Sequence, residues 1–426
     1  MTKTLSLAVC LLLALSVGGC GSCEGSADDG DSLDYVVDTM LIERLEALVE
    51  DRSGIADNQL SICVYDLVCD TLVYAFRPQE PIAPASCLKL LTATAALKYM
   101  GMDYEYRDSL FVGGEVQHGT LYGSVILRTD DDPLFASFAG FAQALKDEGI
   151  ERIEGDIVFD LARTDTLKAH PTAKTWDIPY HKLPLLLKGR TRIEQEWMYQ
   201  LAAHGIRFRR NMLFAGHRIA DTDPTATPLL HRLALDMART AARPVAGEVH
   251  RLTEIVTPML RNSSNIMADA LYWHLNNVYG RLFDTDILHV FLRHELGLDY
   301  DSDSSLVVND GSGLSPDNRL TTDFLVRLLR YVYADADIFR YYVGEALPTP
   351  CSDERHGTLV YRMANTPCVG RVFCKTGTLV TIGGSGLTGY ALGSNGHWYA
   401  FSILNIDTPV ADARTFQDRL CTELVK

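Results

Sequence analysis

The chain has 426 residues, 47% of them hydrophobic, and a formal net charge of −16. That length allows one large domain with an insertion or two to three domains, and the apolar fraction is enough for a sizeable core. With no Lys/Arg-rich run in an acidic chain, nucleic acid is excluded as an expected partner, because neutralising phosphates needs a basic footprint.

Lys3 precedes a 14-residue apolar run, Leu5–Gly18. A bilayer-spanning helix needs about 20 residues, so this run has the length of a signal-peptide core. It ends Val17-Gly18-Gly19-Cys20, which resembles the lipobox of bacterial lipoproteins. Small residues admit the peptidase and the Cys20 thiol would receive the lipid, so residues 1–19 read as signal and Cys20 as the lipidation site. Cys20 and Cys23 form a C-x-x-C, but at a processing site rather than beside a βαβ pattern, which argues against redox chemistry. Residues 21–34 (GSCEGSADDGDSLD) are small and acidic and have almost nothing to bury. Residues 20–36 are therefore expected to be a lipidated, disordered tether. Export permits disulfides, but spacing does not give their connectivity.

The body begins with a helical pattern over Met40–Val49. Two β-rich runs, Leu60–Asp66 and Thr71–Phe76, follow across a short turn and read as a hairpin. Leu88–Met100 is rich in Leu, Ala and Lys and stops at Gly101, a helix with a glycine terminus. From about 105 to 245 the pattern changes to short strands and loops, at Leu110–Val112, Gly123–Leu127 and Gly155–Phe159, and this stretch is expected to be an inserted β-rich domain. Helical patterns return at Ile255–Leu260, Ile266–Leu275, Leu288–Leu296 and Thr322–Ala334. The end alternates strands Arg371–Cys374, Gly386–Ala391 and Trp398–Ile403 with a helix over Ala411–Leu424. Strands from both chain ends around a helical middle predict an α/β (α+β) fold with an antiparallel rather than doubly wound sheet, built from residues 37–104 and 246–426.

Three short motifs carry chemistry. In Ser86-Cys87-Leu88-Lys89, a helix start would place Lys89 one turn from the Ser86 hydroxyl, within reach as a base, beside the unpaired N–H groups of the helix end. A Ser-x-x-Lys arises by chance about once or twice in a chain this long. Ser263-Ser264-Asn265 precedes a helix; it could offer a hydroxyl and a carboxamide to one cleft, but taken alone it reads as an ordinary N-cap. Lys375-Thr376-Gly377-Thr378 lies in a β-run, so Thr376 and Thr378 share one face and Lys375 and Gly377 the other. The glycine there admits a close neighbour.

In this order and context the three resemble the penicillin-recognising serine enzymes with their Ser-x-x-Lys, Ser-x-Asn and Lys-Thr-Gly motifs. More closely, the chain resembles the D-alanyl-D-alanine carboxypeptidase/endopeptidase family, the low-molecular-mass class C penicillin-binding proteins. The segments that carry this are Pro84–Thr92, Asn309–Ser315 and Phe373–Leu379, with Gly149–Ile157 similar to the family's insertion. The resemblance implies an acyl-enzyme on Ser86, Lys89 as base, Ser263 as proton relay, Asn265 on the substrate amide, Lys375 as positive potential, and Thr376 and Thr378 near the terminal carboxylate. It implies backbone N–H groups of Ser86 and Thr378 as the oxyanion hole. Peptidoglycan stem peptides are the implied substrate and β-lactams the implied acylating inhibitors. No metal or cofactor is implied, and the implied place is the periplasm or cell envelope, membrane-anchored through the lipid. The same motifs could serve a β-lactamase, or survive in an inactive peptidoglycan-binding lipoprotein. The Asp310–Ser315 box and the long insertion favour the peptidase over the β-lactamase. The intact motif set argues against decay. Ser264 and Cys87 depart from the family's usual residues.

Overall fold

The fold was read from a computed structural model, which describes residues 37–52, 54–173, 178–209, 212–215, 242–280, 283, 285–298 and 305–426. The expected signal segment, Cys20 and the tether lie outside the described residues. Helix α1 (Thr39–Glu50) starts where the Asp38 carboxylate accepts the Leu41 amide at 2.9 Å. Strands β1 (Leu60–Asp66) and β2 (Thr71–Phe76) form the expected hairpin. Its turn is held by Asp66 Oδ1, which accepts from the amides of Val68 and Cys69, both at 2.9 Å. Asp66 Oδ2 lies 2.7 Å from His397 Nδ1, tying this turn to the one between the last two strands. Helix α2 (Lys89–Met100) ends at Gly101.

The chain then leaves for a second sheet. Its members are β3 (Glu105–Gln117), β4 (Thr120–Thr129), helix α3 (Ala139–Asp147), β5 (Arg152–Ile153), β6 (Ile157–Leu161), helix α4 (Arg190–Ala203), β7 (Arg207–Phe208), β8 (Met212–Ala215) and β9 (Arg243–Arg251). Among the described residues five α-helices follow: α5 (Leu252–Arg261), α6 (Asn265–Leu275), α7 (Ile287–Leu296), α8 (Thr322–Ala334) and α9 (Ala336–Tyr341). Strands β10 (Val372–Leu379), β11 (Gly384–Leu392) and β12 (Trp398–Asn405) and helix α10 (Val410–Val425) complete it.

The first sheet runs β10-β11-β12-β1-β2 and every neighbour is antiparallel. Both faces are buried. On one side Tyr399, Phe401 and Ile403 of β12 join a core with α1 and α10. The alternate residues Ala400 and Leu404 join a second core with α2, α5, α6, α7 and α8. The period-two pleat thus feeds two cores from one strand, so β12 reads as an almost unbroken apolar run. The expected α/β fold around an antiparallel sheet is the one observed.

The seven-stranded sheet runs β7-β5-β4-β3-β9, with β6 and β8 attached through β4. It corrects the expectation of short strands and loops in two ways. Strands β3 and β4 are 13 and 10 residues long, because they pair straight through Gly113-Gly114 and Gly123, which read as breaks in sequence. Among the described residues the region also holds helices α3 and α4, and β5, β6, β7 and β8 pair parallel. Ile193, Trp197 and Leu201, spaced four apart on α4, are all buried against Phe138 and its neighbours; that stripe was legible as a helix.

None of the seven described cysteines forms a disulfide. Among the described residues, no helix is long and apolar enough to cross a membrane.

Candidate active site

Ser86 lies on a single 3₁₀ turn, Ala85–Leu88, that runs directly into α2, rather than on the first α-helical turn. The three-residue spacing still brings Lys89 beneath it: Lys89 Nζ is 2.8 Å from Ser86 Oγ. The turn is pressed onto the sheet at two glycines. A Cβ on Gly377 would stand 2.7 Å from the Pro84 carbonyl oxygen, and one on Gly386 would stand 2.9 Å from Cys87 Sγ. Position 87 therefore needs a small side chain, and the cysteine fills the slot with its thiol donating to the Lys375 carbonyl at 3.5 Å. Burial pushes that thiol's pKa up, which leaves it protonated and poorly reactive.

Lys89 is fully buried, and Nζ is also 2.7 Å from Asn265 Oδ1 and 2.6 Å from the Ser312 carbonyl oxygen. A neutral amine has two hydrogens and one lone pair. Two of its three neighbours here are carbonyl oxygens that only accept, so they take both hydrogens. The lone pair is then left for the one neighbour that can donate, the Ser86 hydroxyl. Burial, and secondly repulsion from Lys375, lower the Lys89 pKa to about 7, so this neutral form is accessible near neutral pH.

The second motif divides its work between adjacent serines. Ser264 is the N-cap of α6, its Oγ accepting from the Met267 amide at 3.3 Å. Ser263, at φ +60°, turns away from the helix, and its hydroxyl accepts from Lys375 Nζ at 2.9 Å. Lys375 is also completely buried, bonded to the Thr376 carbonyl at 2.8 Å. Among the described residues no carboxylate lies within ion-pair distance of it, and burial brings its pKa down to about 8. A buried cation in this state favours an anionic ligand.

On the edge strand β10, Lys375 and Gly377 face inward while Thr376 and Thr378 are half-buried on the other face. The two threonines have different surroundings. Thr378 lines a cleft of about 270 Å³ together with Ser86 and Asn265. Thr376 instead donates to Thr358 Oγ1 at 2.8 Å. The seven residues singled out from sequence thus converge, with Thr376 set slightly aside. The arrangement supplies a hydroxyl beside an amine whose neutral form is accessible near neutral pH, a second buried lysine, and a cleft open to a peptide end. This is a constellation for acyl transfer.

The D-Ala-D-Ala carboxypeptidase 3 (S13) family matches residues 41–181 and 233–423 of this chain. The chain belongs to that family. A D-alanyl-D-alanine carboxypeptidase of Actinomadura sp. (strain R39) is 36% identical over 157 residues, an alignment spanning 36% of this chain and 28% of that protein. D-alanyl-D-alanine carboxypeptidase DacB of Haemophilus influenzae is 21% identical over 396 residues, covering 74% and 79% of the two chains. The crystal structure of penicillin-binding protein 4 (dacB) from Haemophilus influenzae superposes with a TM-score of 0.69 at 17% identity, over 89% of this chain and 99% of that one. The same protein complexed with a β-lactam gives 0.66. These structural likenesses establish the fold.

Within this S13 chain the site has parts that motif reading did not assign. The Asp310 carboxylate accepts the amides of Ser312, Gly313 and Ser315 at 3.2, 2.6 and 2.6 Å, curling the loop whose Ser312 carbonyl holds Lys89. Gly313 abuts the nucleophile turn so closely that a Cβ would lie 1.9 Å from the Ala85 carbonyl oxygen. Asp269, buried on α6, receives the Gly311 amide and the Ser312 hydroxyl, each at 3.1 Å. Burial and the neighbouring Asp310 raise its pKa. The Asn309–Ser315 segment was visible in sequence, but Asp269 carried no signal beyond its place one helical turn past Asn265. Arg414 of α10 donates to Thr378 Oγ1 at 3.1 Å, and Thr172, from between β6 and α4, bonds Ser315 Oγ at 2.6 Å and lines the cleft. Both are brought in by tertiary folding alone.

Proposed function

We propose that this chain is a serine-type D-alanyl-D-alanine carboxypeptidase and endopeptidase that trims or cleaves peptidoglycan stem peptides through an acyl-enzyme on Ser86, and that β-lactams acylate the same serine. The observation that carries this reading is the 2.8 Å approach of Lys89 Nζ to Ser86 Oγ, with both other Lys89 contacts being carbonyl acceptors. In the proposed reaction Ser86 Oγ bonds to the carbonyl carbon of the penultimate D-alanine and its proton passes to Lys89. The backbone N–H groups of Ser86 and Thr378 receive the oxyanion. As the C–N bond breaks, Ser263 relays the proton held on Lys89 to the departing D-alanine amine, which leaves Lys89 neutral again and Ser263 a hydroxyl, and Asn265 holds the substrate amide. Lys375, still protonated, attracts the terminal carboxylate, with Thr378 and Thr376 beside it. Water then cleaves the ester and restores the Ser86 hydroxyl.

The test is a side-by-side assay of one preparation. Mass spectrometry after penicillin treatment is expected to find one adduct, on the peptide containing Ser86, and Ser86→Ala is expected to abolish both the adduct and D-alanine release. Penicillin turnover is expected to be far slower than D-alanine release from a pentapeptide stem, since none of the described residues lining the cleft is a carboxylate or an imidazole that could serve as a second base. Rapid multiple-turnover penicillin hydrolysis without D-alanine release would reassign the chain as a β-lactamase.

We further read the chain as exported and held to a membrane by lipid on Cys20, supported by the Val17-Gly18-Gly19-Cys20 ending of the apolar run. Cys20→Ala is expected to move the protein to the soluble fraction with its penicillin acylation rate unchanged. Residues 105–245 are read as an inserted domain, supported by the separate apolar cluster that its sheet encloses.

A further inference from the structure

Beyond the Ser86 cleft, the segment between β6 and α4 borders two more cavities. One, of about 770 Å³, is lined by Arg163, Lys168, Lys188, Arg190 and Arg192, and among its described lining residues Asp165 alone is acidic. In a chain of net charge −16 this is an inverted local balance. Among the described residues the ion pairs reach only Arg192, which sits 3.4 Å from Glu196. Arg163 Cζ lies over the Trp273 ring, 3.2 Å from its centroid, and Arg190 Cζ lies over the Phe214 ring at 3.8 Å, so both guanidinium groups are held on aromatic faces. The first turn of α4 forms part of the lining and adds no acidic residue to it.

The other cavity, of about 510 Å³, is mostly apolar, with Leu167, Ile178 and Leu183 among its walls. It shares Thr166, Lys168 and Tyr180 with the cationic cavity. At its other end are His170, Pro171 and Ala173, and the intervening Thr172 lines the Ser86 cleft. The three cavities therefore follow one another along a single stretch of chain. Helix α6 gives the scale. Asn265, its first residue, lines the Ser86 cleft, and Trp273, eight residues on, lines the cationic cavity. At 1.5 Å per residue that separation is about 12 Å, which an extended peptide covers in roughly four residues.

We propose that the cationic cavity is a distal subsite that captures carboxylates on the peptide substrate about four residues from the scissile bond, the apolar cavity seating the chain between. This deepens the DD-peptidase reading and rests on it. Attraction at this distance is uniform across ground and transition states, so it acts on KM and leaves kcat alone.

The experiment compares two synthetic peptides ending in D-Ala-D-Ala: a neutral tripeptide that fills only the cleft, and a heptapeptide with two carboxylates at its far end. The variants are Lys168→Glu/Lys188→Glu and, as a milder pair, Lys168→Gln/Lys188→Gln. Reversal is expected to raise KM for the acidic heptapeptide by roughly an order of magnitude, with the neutralised pair between, kcat unchanged and the wild-type advantage shrinking in high salt. KM for the tripeptide and the rate of penicillin acylation, which also reports folding, are expected to stay as in wild type. Equal changes for both peptides, or no change for the heptapeptide, would overturn the subsite. Wild-type protein that penicillin does not acylate would instead overturn the DD-peptidase reading itself, so the two failures are distinguishable.

Discussion

The two sheets of this protein are stabilised in different ways. The seven-stranded sheet closes on a compact aromatic cluster in which Phe135, Phe138, Phe141 and Trp197 meet ring to ring, Phe138 and Trp197 at 5.5 Å and 79°. The five-stranded sheet has two apolar cores as well, but along its β10 edge it also buries Lys375 against the turn and helix that bury Lys89. Burying an ammonium without a carboxylate works against folding, and the surrounding sheet and helices tolerate it. The difference is one of position: the residues of the aromatic cluster do not line the Ser86 cleft, whereas the five-stranded sheet and the helix packed on it hold two buried lysines at it.

Three substitutions test that separation. The largest effect is expected at Trp197, which is fully buried. Trp197→Ala is expected to cost about 3–5 kcal/mol of stability by denaturant unfolding. The penicillin acylation rate per folded molecule should be unchanged. If folded Trp197→Ala protein loses acylation, the two regions are not separable in this way.

Gly377→Ala is expected to do the reverse. Its Cβ would come 2.7 Å from the Pro84 carbonyl, 3.1 Å from Ala85 Cβ and 3.2 Å from Cys87 Sγ, so the nucleophile turn must lift. A displacement approaching 1 Å at the reacting atom lowers rate by about 10²-fold. Stopped-flow acylation by a chromogenic β-lactam reads this directly, and a wild-type rate would mean that the turn is not positioned by the glycine.

The smallest and most diagnostic effect is on pH dependence. Lys89 acts as a base only when neutral, so acylation is expected to rise as pH passes about 7; Lys375 binds carboxylate only when protonated, so the rate is expected to fall above about 8. Repulsion from Lys375 is the second cause of the lowered Lys89 pKa, after burial. Lys375→Ala therefore moves the acidic limb to higher pH and removes the alkaline limb. A profile that keeps both limbs in place would take Lys375 out of this role.

Much of the site was legible before any coordinate. Ser86 and Lys89 are three residues apart, and any helical or 3₁₀ turn brings such a pair together, so local geometry was sufficient. The inward and outward alternation along Lys375–Thr378 follows from the two-residue pleat in the same way. Helices α5, α6, α7, α8 and α10 and the strands of the five-stranded sheet were visible for a related reason, since each buries a regular apolar pattern, whereas the six-residue α9 is too short to show one. Within the second sheet the same logic misled, because glycines inside β3 and β4 read as punctuation where the strands in fact continue.

What sequence determined, then, was every relation set by a short stretch of backbone: the Ser86–Lys89 pair, the Ser264 cap that leaves Ser263 free to turn, and the facing of the Lys-Thr-Gly strand. What only tertiary structure decided was each relation between distant segments. Lys89 meets Asn265, 176 residues away, and the Ser312 carbonyl, 223 away; Asp269 and Asp310 jointly shape the loop around that carbonyl. The depressed Lys89 pKa belongs to this second group. It arises from burial and from a second lysine on strand β10, and neither is a property of the residues between Ser86 and Lys89.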